Sequence, residues 1–502
     1  MKKRYILALD QGTTSSRAIL FDHSLSVVGV SQREFPQYYP QSGWVEQDAN
    51  EIWGTQYGVL SEVLRTAGVS AEELAAIGIT NQRETTILWD RQTGKPAAPA
   101  VVWQCRRTAP LCEELIARGL SDEIRERTGL LPDAYFSATK IRWLLDHTPG
   151  LSDRARRGEI AFGTVDSWLV YCLTGGKKHI TDHTNASRTM LYGLAAHDWD
   201  DRMLELLSIP RKILPTIAES GAVAGYARID GCDVPIAGIA GDQQAALFGQ
   251  CCFSPGEAKN TYGTGCFLLM NTGEEIPRSE NGLISTVACS RGGKITYALE
   301  GSVFIGGAVV QWLRDELGLI RTAEESESLA RAVPDTNGAY LVPAFTGMGA
   351  PYWDMRARGV LCGLSRSTNR NHLVRAALES VAYQTADVLR AMERDTGLPL
   401  VVLNADGGAS RNNFLMQFQA DVIGRPVVRP AVVETTAMGA AMLAGLSVGF
   451  WKDEAELLSL RTQAARFSPA IDKEERGRLL HGWQNAVQRT LFPDRDCAPN
   501  ER

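Results

Sequence analysis

The stretch Tyr5-Ile-Leu-Ala-Leu-Asp-Gln-Gly-Thr-Thr-Ser-Ser-Arg-Ala-Ile-Leu-Phe21 contains two β-rich runs on either side of a polar turn. We predict strands at residues 5–10 and 17–21 and a third strand at residues 27–32, which together form a meander. Gly12 permits a tight turn, and the backbone amides that follow it can face anionic oxygens, so the tip is a candidate phosphate-binding hairpin. The turn lacks the Gly-x-x-x-x-Gly-Lys pattern of P-loops, and an ordinary surface hairpin is an equal alternative.

Strands and helices alternate after this hairpin. The pattern of apolar residues predicts helices at residues 50–67 and 70–76, and strands at residues 75–80 and 86–90. Residues 235–249 are predicted to form a strand that runs into a helix. Such alternation is typical of an α/β fold.

A second, weaker copy of the opening hairpin lies near the middle of the chain. Residues 258–262 and 267–271 are predicted strands, and they flank the turn Gly263-Thr-Gly265. A chain of 502 residues is too long for one hydrophobic core. We therefore predict two lobes, residues 1–250 and 251–502, each beginning with such a hairpin, with a cleft between them.

Composition excludes several classes of protein. The net charge of −6 provides no global positive field for a nucleic acid or an anionic membrane. The apolar start is too short for a secretory signal, and residues 437–450 are too few to cross a bilayer, so we predict a buried helix there. The ten cysteines include no Cys-x-x-Cys pair, and the adjacent Cys251 and Cys252 are poorly placed to bridge. We expect reduced thiols and a cytoplasmic location.

Asp242 is a candidate catalytic group because it lies where an apolar strand meets an apolar helix, in Ala240-Gly-Asp-Gln-Gln-Ala-Ala-Leu-Phe-Gly249. A carboxylate at such a junction is either a helix N-cap or a catalytic base, and capping is the commoner role. The neighbouring Gln243 and Gln244 add more hydrogen-bonding groups than a cap requires.

Arg83 and Glu84 follow a predicted strand and join a five-donor cation to an acceptor, a combination suited to gripping adjacent hydroxyls of a polyol. A surface ion pair is the alternative. Trp103, Tyr135 and Phe267 are aromatic residues near polar turns, and each is either a pocket wall or part of a core.

Further glycine turns suit a nucleotide. A third turn, Asp406-Gly-Gly408, precedes a helix predicted at residues 411–423, whose N-terminus offers unpaired amides and whose first turn contains Asn412. Gly307 and Gln311 are four residues apart on a predicted helix, so they share a face on which a base or ribose can lie. Close helix packing is an equal explanation for Gly307.

These motifs, taken in order along nearly the whole chain, resemble the FGGY carbohydrate kinase family, and within it the members that phosphorylate glycerol. Both family signatures are present, at residues 135–143 and 359–379. The most specific motifs are Leu9-Asp-Gln-Gly-Thr-Thr-Ser-Ser-Arg17, Gly43-Trp-Val-Glu-Gln-Asp48, Ile79-Thr-Asn-Gln-Arg-Glu-Thr-Thr86, Val102-Trp-Gln-Cys-Arg-Arg107, Gly241-Asp-Gln-Gln-Ala-Ala-Leu-Phe-Gly-Gln250 and Asn260-Thr-Tyr-Gly-Thr-Gly-Cys-Phe267.

The resemblance implies an α/β, two-lobed fold of the actin, Hsp70 and hexokinase (ribonuclease H-like) type, in which nucleotide and polyol meet in a central cleft. It implies transfer of the γ-phosphoryl group of Mg-ATP to a terminal hydroxyl of glycerol, with Asp242 as catalytic base. The family's glycerol contacts match Arg83, Glu84, Trp103, Tyr135, Asp242, Gln243 and Phe267. Its ATP and ADP contacts match Thr13, Thr14, Ser15, Arg17, Thr264, Gly307, Gln311, Gly408 and Asn412.

The mechanism that we expect follows from phosphoryl-transfer chemistry. Mg²⁺ would be held near Asp10, through water, while hairpin amides and Arg17 offset the charge of the triphosphate. Asp242 would align the attacking hydroxyl and accept its proton late, and lobe closure would exclude water. Trp103 and Phe267 can wall a three-carbon chain, so a larger sugar such as a pentulose or gluconate is the second choice of substrate. An actin-like or Hsp70-like ATPase binding module is the alternative of another class.

The resemblance also bears on regulation and assembly. Some bacterial members bind fructose 1,6-bisphosphate through a basic loop, but this chain has Asp230-Gly-Cys-Asp233 at that place, so we expect weak or absent inhibition. Activation by histidine phosphorylation is also not expected, because no histidine occurs between His197 and His372. Contact with a transport-regulator protein near residues 469–482, partly through Glu475, is doubtful because neighbouring residues differ. The family suggests a homodimer or homotetramer.

Overall fold

The computed structural model describes residues 3–432 and 434–491 and contains two large β-sheets. The strands are β1 (Tyr5–Gln11), β2 (Ser15–Phe21), β3 (Val27–Glu34), β4 (Glu46–Gln47), β5 (Leu74–Asn81), β6 (Ile87–Asp90), β7 (Ala100–Val101), β8 (Ile160–Gly163), β9 (Ile180–Asp182), β10 (Tyr192–Gly193), β11 (Asp198–Trp199), β12 (Thr216–Ala218), β13 (Gly225–Ile229), β14 (Cys232–Gly241), β15 (Glu257–Tyr262), β16 (Cys266–Gly273), β17 (Ile284–Arg291), β18 (Lys294–Val303), β19 (Tyr340–Val342), β20 (Val360–Cys362), β21 (Val402–Asp406), β22 (Val427–Pro430) and β23 (Gln463–Phe467).

Helices cover and connect these sheets. The α-helices are α1 (Ala49–Ala67), α2 (Ala109–Ala117), α3 (Ser121–Thr128), α4 (Ser137–His147), α5 (Leu151–Arg157), α6 (Val165–Leu173), α7 (His183–Ala186), α8 (Asp201–Leu206), α9 (Asp242–Gly249), α10 (Ala308–Asp315), α11 (Glu325–Arg331), α12 (Arg370–Thr396), α13 (Asn413–Ile423), α14 (Thr435–Ser447), α15 (Glu454–Leu460) and α16 (Lys473–Thr490). Short 3₁₀ turns lie at Ala71–Glu73, Arg211–Ile213 and Gly408–Arg411.

The first sheet has the order β13-β14-β5-β1-β2-β3. Strand β1 is antiparallel to β2, and β2 to β3, which confirms the predicted meander. Strands β1, β5 and β14 are parallel neighbours, so their carboxyl ends meet at one edge. Ligands of open α/β sheets bind beyond such an edge.

The predicted helix at residues 70–76 is wrong. Ser70 and Glu73 form a capping box, the usual start of a helix, but only the turn Ala71–Glu73 is helical. Residues 74–81 form β5 instead, and every one of them is buried between β1 and β14. The continuous apolar run therefore becomes a central strand, as is usual in parallel sheets.

The second sheet has the order β17-β18-β16-β15-β21-β22-β23. Its hairpin β15-β16 is antiparallel, and β15 is parallel to β21. This arrangement confirms the predicted second hairpin, which repeats the pairing of β1 with β2 and β5. Helix α12 packs across this sheet with a long buried face that includes Val381 and Val388.

The predicted buried helix at residues 437–450 is confirmed as α14, although it begins at Thr435 and ends at Ser447. It packs on the first sheet and on α9, although in the chain it lies between β22 and β23 of the second sheet. A Cβ atom at Gly439 would collide with the carbonyl of Ala245, so glycine is required for this backbone contact. The lobe division at residue 250 remains a prediction.

No helix among residues 3–432 and 434–491 is long and apolar enough to cross a membrane. Nine described cysteines carry free thiols, Cys251 and Cys252 among them.

Candidate active site

Three predicted functional residues lie at or just beyond the carboxyl ends of the parallel strands β1, β5 and β14. Asp10 lies near the end of β1, Arg83 follows β5, and Asp242 follows β14. Gly241 pairs with Asn81 in register, which places Asp242 and Arg83 beside each other. A Cβ atom at Gly241 would lie 2.7 Å from Cδ of Arg83, so glycine makes room for that side chain.

Asp242 is the first residue of α9, and its neighbour Gly241 occupies the N-cap position. The N-cap alternative is therefore wrong in this structure. One carboxylate oxygen of Asp242, Oδ1, lies 3.2 Å from Nε of Arg83 and accepts a 2.8 Å hydrogen bond from the amide of Gln243. The side chain retains 34% of its exposure, so the carboxylate faces the cleft and an incoming hydroxyl can reach it.

Arg83 is buried and binds a carboxylate that the sequence did not suggest. Its Nη1 donates to Oε2 of Glu300 at 2.6 Å, and its Nη2 donates to Oε1 at 3.1 Å. Glu300 lies on β18 of the second sheet, so this bidentate pair joins the two sheets. The predicted alternative of a surface ion pair for Arg83 and Glu84 is wrong, because both side chains are buried.

Arg188 is the second cation of this cluster. It donates to Oε1 of Glu84 at 2.7 Å and to Oε1 of Glu300 at 3.0 Å. We name Arg83, Glu84, Arg188 and Glu300 the polyol-side cluster, because Arg83 and Glu84 are predicted polyol contacts. The cluster contains two buried cations and two buried carboxylates. Two arginines and two carboxylates in direct contact compensate each other, as buried charges require.

Burial raises the pKa of both carboxyl groups of this cluster, but the guanidinium groups oppose it. For Glu300, Arg188 and Arg83 outweigh burial and hold the pKa at about 2. For Glu84 the effect of burial is larger than the opposing effect of Arg83 and Arg188, so its pKa lies above the usual value. The difference is reasonable, because Glu300 accepts hydrogen bonds from both guanidinium groups while Glu84 accepts one from Arg188.

Glu84 also has a strained backbone. Its φ of 60° lies in the left-handed region, which is unusual for a residue with a side chain. Ser137 donates a 3.0 Å hydrogen bond to the carbonyl of Glu84, and the ion pair with Arg188 fixes the carboxylate. Such strain persists only where the surroundings determine it, and it is common at functional sites.

Two aromatic rings line the cleft beside Arg83. The rings of Trp103 and Tyr135 meet edge to face with centroids 5.5 Å apart, and both are partly buried at the border of a hydrophobic core. The hydroxyl of Tyr135 accepts a hydrogen bond from Nη2 of Arg83 at 3.4 Å. Buried Lys140 fixes the Tyr135 loop by donating to three consecutive carbonyls, those of Ala134, Tyr135 and Phe136. Its neutral form is favoured by burial, which lowers its pKa to about 8.

Phe267 lies on β16, partly exposed, opposite Thr261 of β15. It belongs to the second sheet, whereas the other predicted polyol contacts belong to the first half of the chain. The predicted polyol contacts therefore come from both halves of the chain.

The first hairpin connects the aromatic wall to the candidate phosphate site. The amide of Gly12 donates to the carbonyl of Ser15 at 2.9 Å, which leaves Thr13 and Thr14 at the tip. Nε1 of Trp103 donates to Oγ1 of Thr13 at 3.0 Å. Ser15 is buried and accepts a hydrogen bond from Gln32.

Charged groups lie at the base of this hairpin. Asp10 pairs in register with Arg17, and Nη1 of Arg17 lies 2.5 Å from Oε2 of Glu434. Burial raises the pKa of Asp10 to about 6, and the carboxylates of Asp242 and Glu434 add to this rise while Arg17 opposes it. We name Asp10, Arg17 and Glu434 the phosphate-side cluster, which contains one cation and two carboxylates.

The donor set around Asp10 fits a magnesium ion that is shared with a phosphate ligand. No group of three metal-ligating side chains occurs within residues 3–432 and 434–491, so the protein supplies no complete cage there. Mg²⁺ is commonly bound by one or two carboxylates together with phosphate oxygens and water. A buried carboxyl group with a raised pKa, beside two further carboxylates, suits such a cation.

The second glycine turn, Gly263-Thr-Gly265, lies against Gly306 and Gly307 at the edge of the second sheet. The amide of Gly307 donates to the carbonyl of Gly263 at 2.8 Å, and that of Gly306 donates to the carbonyl of Thr264 at 2.8 Å. A Cβ atom at Gly307 would lie 2.7 Å from the Gly263 carbonyl, so this glycine serves close packing. Thr264 and Gln311 remain exposed at this edge.

The third glycine turn differs from its prediction. The helix begins at Asn413 rather than at residue 411, after the 3₁₀ turn Gly408–Arg411. Asn412 is the N-cap, and its side chain accepts a hydrogen bond from Leu415 at 3.0 Å. Gly408 is exposed in the turn.

Sequence reasoning missed Arg188, Glu300 and Lys259, which are buried beside the predicted site residues. Glu300 is 217 residues from Arg83, and no spacing rule relates them. Arg188 follows Asn185-Ala-Ser, a sequence that matches no motif for a catalytic or binding residue. The one available signal was an isolated charged residue in an apolar or polar-neutral strand, as at Lys259 and Glu300.

Comparison with known proteins identifies the family of this chain. The FGGY carbohydrate kinase N-terminal domain matches residues 5–249, and the C-terminal domain of that family matches residues 258–448. Glycerol kinases of Alkaliphilus oremlandii and Aeromonas salmonicida are each 60% identical, over 97% of this chain and 98% of those proteins.

Solved structures show the same fold. The crystal structure of Plasmodium falciparum glycerol kinase with ADP is 36% identical and has a TM-score of 0.94, covering 98% of this chain and 99% of that one. Gluconate kinase from Lactobacillus acidophilus has a TM-score of 0.86 over 96% and 97% of the two chains, but at 22% identity that likeness concerns the fold alone. The predicted two-lobed fold class is confirmed.

Proposed function

This chain belongs to the FGGY family of carbohydrate kinases, and on that basis we propose that it transfers the γ-phosphoryl group of Mg-ATP to a terminal hydroxyl of glycerol. The products are sn-glycerol 3-phosphate and ADP. Relatives that are 60% identical over nearly the whole chain carry the name glycerol kinase, which supports this choice of acceptor.

The observation that carries the proposal is the position of Asp242. Its carboxylate is partly exposed and lies 3.2 Å from Nε of Arg83, which also contacts Tyr135, and it is close enough to Asp10 to raise the pKa of that residue. A general base must lie within hydrogen-bond reach of the acceptor hydroxyl, whose oxygen must at the same time face the γ-phosphorus. Oδ1 of Asp242 accepts the amide N–H of Gln243 in the first turn of α9, so Oδ2, which has only a 3.4 Å contact with Nε2 of Gln243, is the oxygen available to the acceptor hydroxyl.

The polyol pocket would use the groups that converge on Arg83. Oε1 of Glu84 is occupied by Arg188, which leaves Oε2 to accept a hydrogen bond from a glycerol hydroxyl. Arg83 and Gln243 donate to the same chain of hydroxyls, and Trp103, Tyr135 and Phe267 cover its carbon edge. A three-carbon polyol has few apolar atoms, so fixed polar groups dominate its recognition.

In the reaction, Asp242 aligns the terminal hydroxyl of glycerol and accepts its proton as the new oxygen–phosphorus bond forms. The bond between the γ-phosphorus and the bridging oxygen breaks, and ADP leaves with the bond's electron pair. Carboxylates are weak bases toward alcohols, so the proton moves late in a loose transition state and alignment is the larger contribution.

Phosphate binding would use the first hairpin and Arg17. The tip residues Thr13, Thr14 and Ser15 offer backbone amides and hydroxyls, and Arg17 offers a guanidinium group. Asp10 would hold Mg²⁺ through water. When bound, this cation offsets the charge that develops on the transferring phosphoryl group.

The rest of the nucleotide would lie against the second sheet. The residues that we propose for it are Thr264, Gly307, Gln311, Gly408 and Asn412. The turn at Gly263 is bonded to Gly307 at the start of α10, and the turn at Gly407 lies against the backbone of Tyr262. Thr264, Gln311 and Gly408 are exposed. The relative from Plasmodium falciparum was solved with ADP, which supports a nucleotide site in this fold. Because the side chain of Asn412 is engaged in capping α13, we propose that it acts through the position of its backbone.

Several further properties are proposed on narrower grounds. Nine free thiols support a cytoplasmic location. The tight turn at Asp230 and Gly231 presents no cation of its own, and Asp233 pairs with Arg228 at 3.0 Å, which supports weak or absent bisphosphate inhibition. Glu475 is paired with Arg478 at 2.6 Å, so we do not propose a regulator protein as its partner. A homodimer or homotetramer is proposed from the family.

The test is an assay of ADP release with Mg-ATP and glycerol, dihydroxyacetone, xylulose or gluconate, on the wild type and on Asp242→Asn. Glycerol preferred by orders of magnitude, with the variant nearly inactive, would support both acceptor and base. A larger sugar preferred would keep the family and overturn the acceptor. ADP release that does not depend on any acceptor would overturn the proposed function.

A further inference from the structure

A buried lysine contacts the proposed site from the second sheet. Lys259 lies on β15, its side chain is fully buried, and its Nζ donates to Oε1 of Gln243 and, at 3.0 Å, to Oγ1 of Thr261. Gln243 belongs to α9, so this contact crosses from one sheet to the helix that carries Asp242.

No carboxylate lies within ion-pair distance of Lys259 among residues 3–432 and 434–491, although every other fully buried cation of the site except Lys140 has one. The charged groups that face Lys259 are Asp406, Asp242, Glu300 and Arg83, at longer range. Burial lowers the pKa of Lys259 and the three carboxylates oppose that change. A buried ammonium group bound only to neutral acceptors is expensive, which points to a function for it.

The chemistry of the three groups fixes one arrangement of the Gln243 amide. An ammonium group only donates hydrogen bonds and an ionised carboxylate only accepts them. The amide oxygen of Gln243 must therefore face Lys259, and its nitrogen must face Asp242, where Nε2 lies 3.4 Å from Oδ2. The bond to Asp242 is long, so Lys259 provides the firmer restraint on the amide.

We propose that Lys259 is a positioning residue, which holds the side-chain amide of Gln243 so that its N–H groups point to Asp242 and to the acceptor hydroxyl. Without Lys259, the amide of Gln243 is free to rotate. Orientations that turn its oxygen toward the carboxylate of Asp242 are repulsive, so the side chain leaves the position in which its N–H groups face the site. The acceptor hydroxyl then loses a donor that keeps its own proton directed at Asp242. This role rests on the proposed function.

A double-mutant cycle tests the proposal. The variants are Lys259→Met, Gln243→Ala and the double variant, with kcat and the KM for glycerol measured for each. A misplacement near the reacting atoms costs up to about 100-fold, so we expect Lys259→Met alone to lower kcat/KM for glycerol by about 10-fold to 100-fold. In the Gln243→Ala background we expect a further loss below about 3-fold, because the group that Lys259 holds is already absent.

A neutral donor sharpens the test. Lys259→Gln retains an N–H group for Oε1 of Gln243 but no charge, so we expect it to recover most of the activity that Lys259→Met loses. Lys294→Met is the matched control, because Lys294 is an exposed lysine on β18 that pairs with Glu274 at 3.7 Å. We expect no change in kcat or KM from it.

Each outcome bears on the proposal. Losses that multiply in the double variant would overturn it, since Lys259 would then act independently of Gln243. Lys259→Gln that is as impaired as Lys259→Met would also overturn it, in favour of a role for the charge. If Lys259→Met does not fold, the cycle is run with Lys259→Ala and Lys259→Gln, and the same criterion applies. A wild type that does not phosphorylate glycerol would instead contradict the proposed function.

Discussion

The polyol-side cluster and the phosphate-side cluster contain the same kinds of charge but are balanced in opposite ways. In the polyol-side cluster, two guanidinium groups face two carboxylates, and all four side chains are at most 2% exposed. In the phosphate-side cluster, Arg17 and Glu434 are each about one-third exposed. Asp10 makes no ion pair within the described part of the chain.

This difference indicates which half of the site exists before substrates bind. The polyol side is complete in itself, because each buried charge has a partner of opposite sign. The phosphate side has a surplus of negative charge, because two carboxylates face the single cation Arg17. Burial raises the pKa of Asp10 to about 6, and the carboxylates of Asp242 and Glu434 add to that rise. A divalent cation and a triphosphate would correct the surplus together, so we infer that the polyol pocket is preformed and the phosphate site is completed by its ligands.

Asp242 lies between the two clusters, and its replacement should have the largest effect. General acid–base groups contribute about 100-fold to 10,000-fold to rate, and Asp242→Asn removes the proton acceptor while keeping the hydrogen bond from Gln243. We expect kcat to fall by about 1,000-fold, with a KM for ATP within about 3-fold of the wild type. A variant that binds ATP much more weakly would show instead that Asp242 belongs to the phosphate side.

Glu300→Gln tests whether the polyol-side cluster is balanced. It leaves two buried guanidinium groups with one carboxylate, and breaking a buried pair costs about 3–5 kcal/mol. We expect the urea midpoint to fall accordingly and glycerol binding to weaken, because Glu300 also holds Arg83. Glu434→Gln is the matched control, since a partly exposed pair contributes about 0–1 kcal/mol. Equal shifts for both variants would contradict the comparison.

The same contrast explains how far the sequence alone could predict the molecule. Strands β1, β2, β5 and β15 follow from local apolar patterns, and the predictions for them are confirmed. The helix predicted at residues 70–76 was wrong because the capping box of Ser70 and Glu73 is followed by the apolar residues 74–81, which form the buried strand β5 of the parallel sheet. Tertiary burial overrides local helix signals in such runs.

The candidate site residues also divide into those with a local sequence signal and those without one. Those near glycine turns or strand ends, such as Asp10, Arg83 and Asp242, could be found from motifs, because a turn leaves a local signature. Glu300 and Lys259 could not, because they lie within strands and contact residues of the other half of the chain. Their partners are fixed only when the two sheets meet.

Asp10→Asn tests the imbalance of the phosphate-side cluster. The folded pKa of about 6 lies above the ordinary 3.8, so the folded state loses stability as pH rises from about 4 to 6. At pH 8 the difference corresponds to about 3 kcal/mol. We expect Asp10→Asn to unfold at a higher temperature than the wild type at pH 8, with a smaller gain at pH 5, in the absence of nucleotide and metal.

The same variant should need more Mg²⁺ for half-maximal activity, because a carboxylate ligand has been lost. Asp233→Asn, at an exposed position near the start of β14, is the control and should change neither quantity. A gain in stability that does not depend on pH would contradict the assignment of the imbalance to Asp10.

Replacement of Arg17 or Glu434 should have the smallest effect on the enzyme. Nη1 of Arg17 lies 2.5 Å from Oε2 of Glu434, so a triphosphate that binds Arg17 must compete with this carboxylate. Arg17→Ala removes a cation from the phosphates, and a hydrogen bond to a charged group contributes about 1.5–3 kcal/mol, so the KM for ATP should rise by about 10-fold or more. Glu434→Gln removes the competitor, and an exposed pair is worth at most about 1 kcal/mol, so the KM should fall by about 2-fold to 5-fold. Both changes should shrink in high salt, which screens partly exposed charges. If both variants raise the KM for ATP equally, the ion pair holds α14 in place and does not open when the nucleotide binds. The phosphate-side cluster would then be as preformed as the polyol-side cluster.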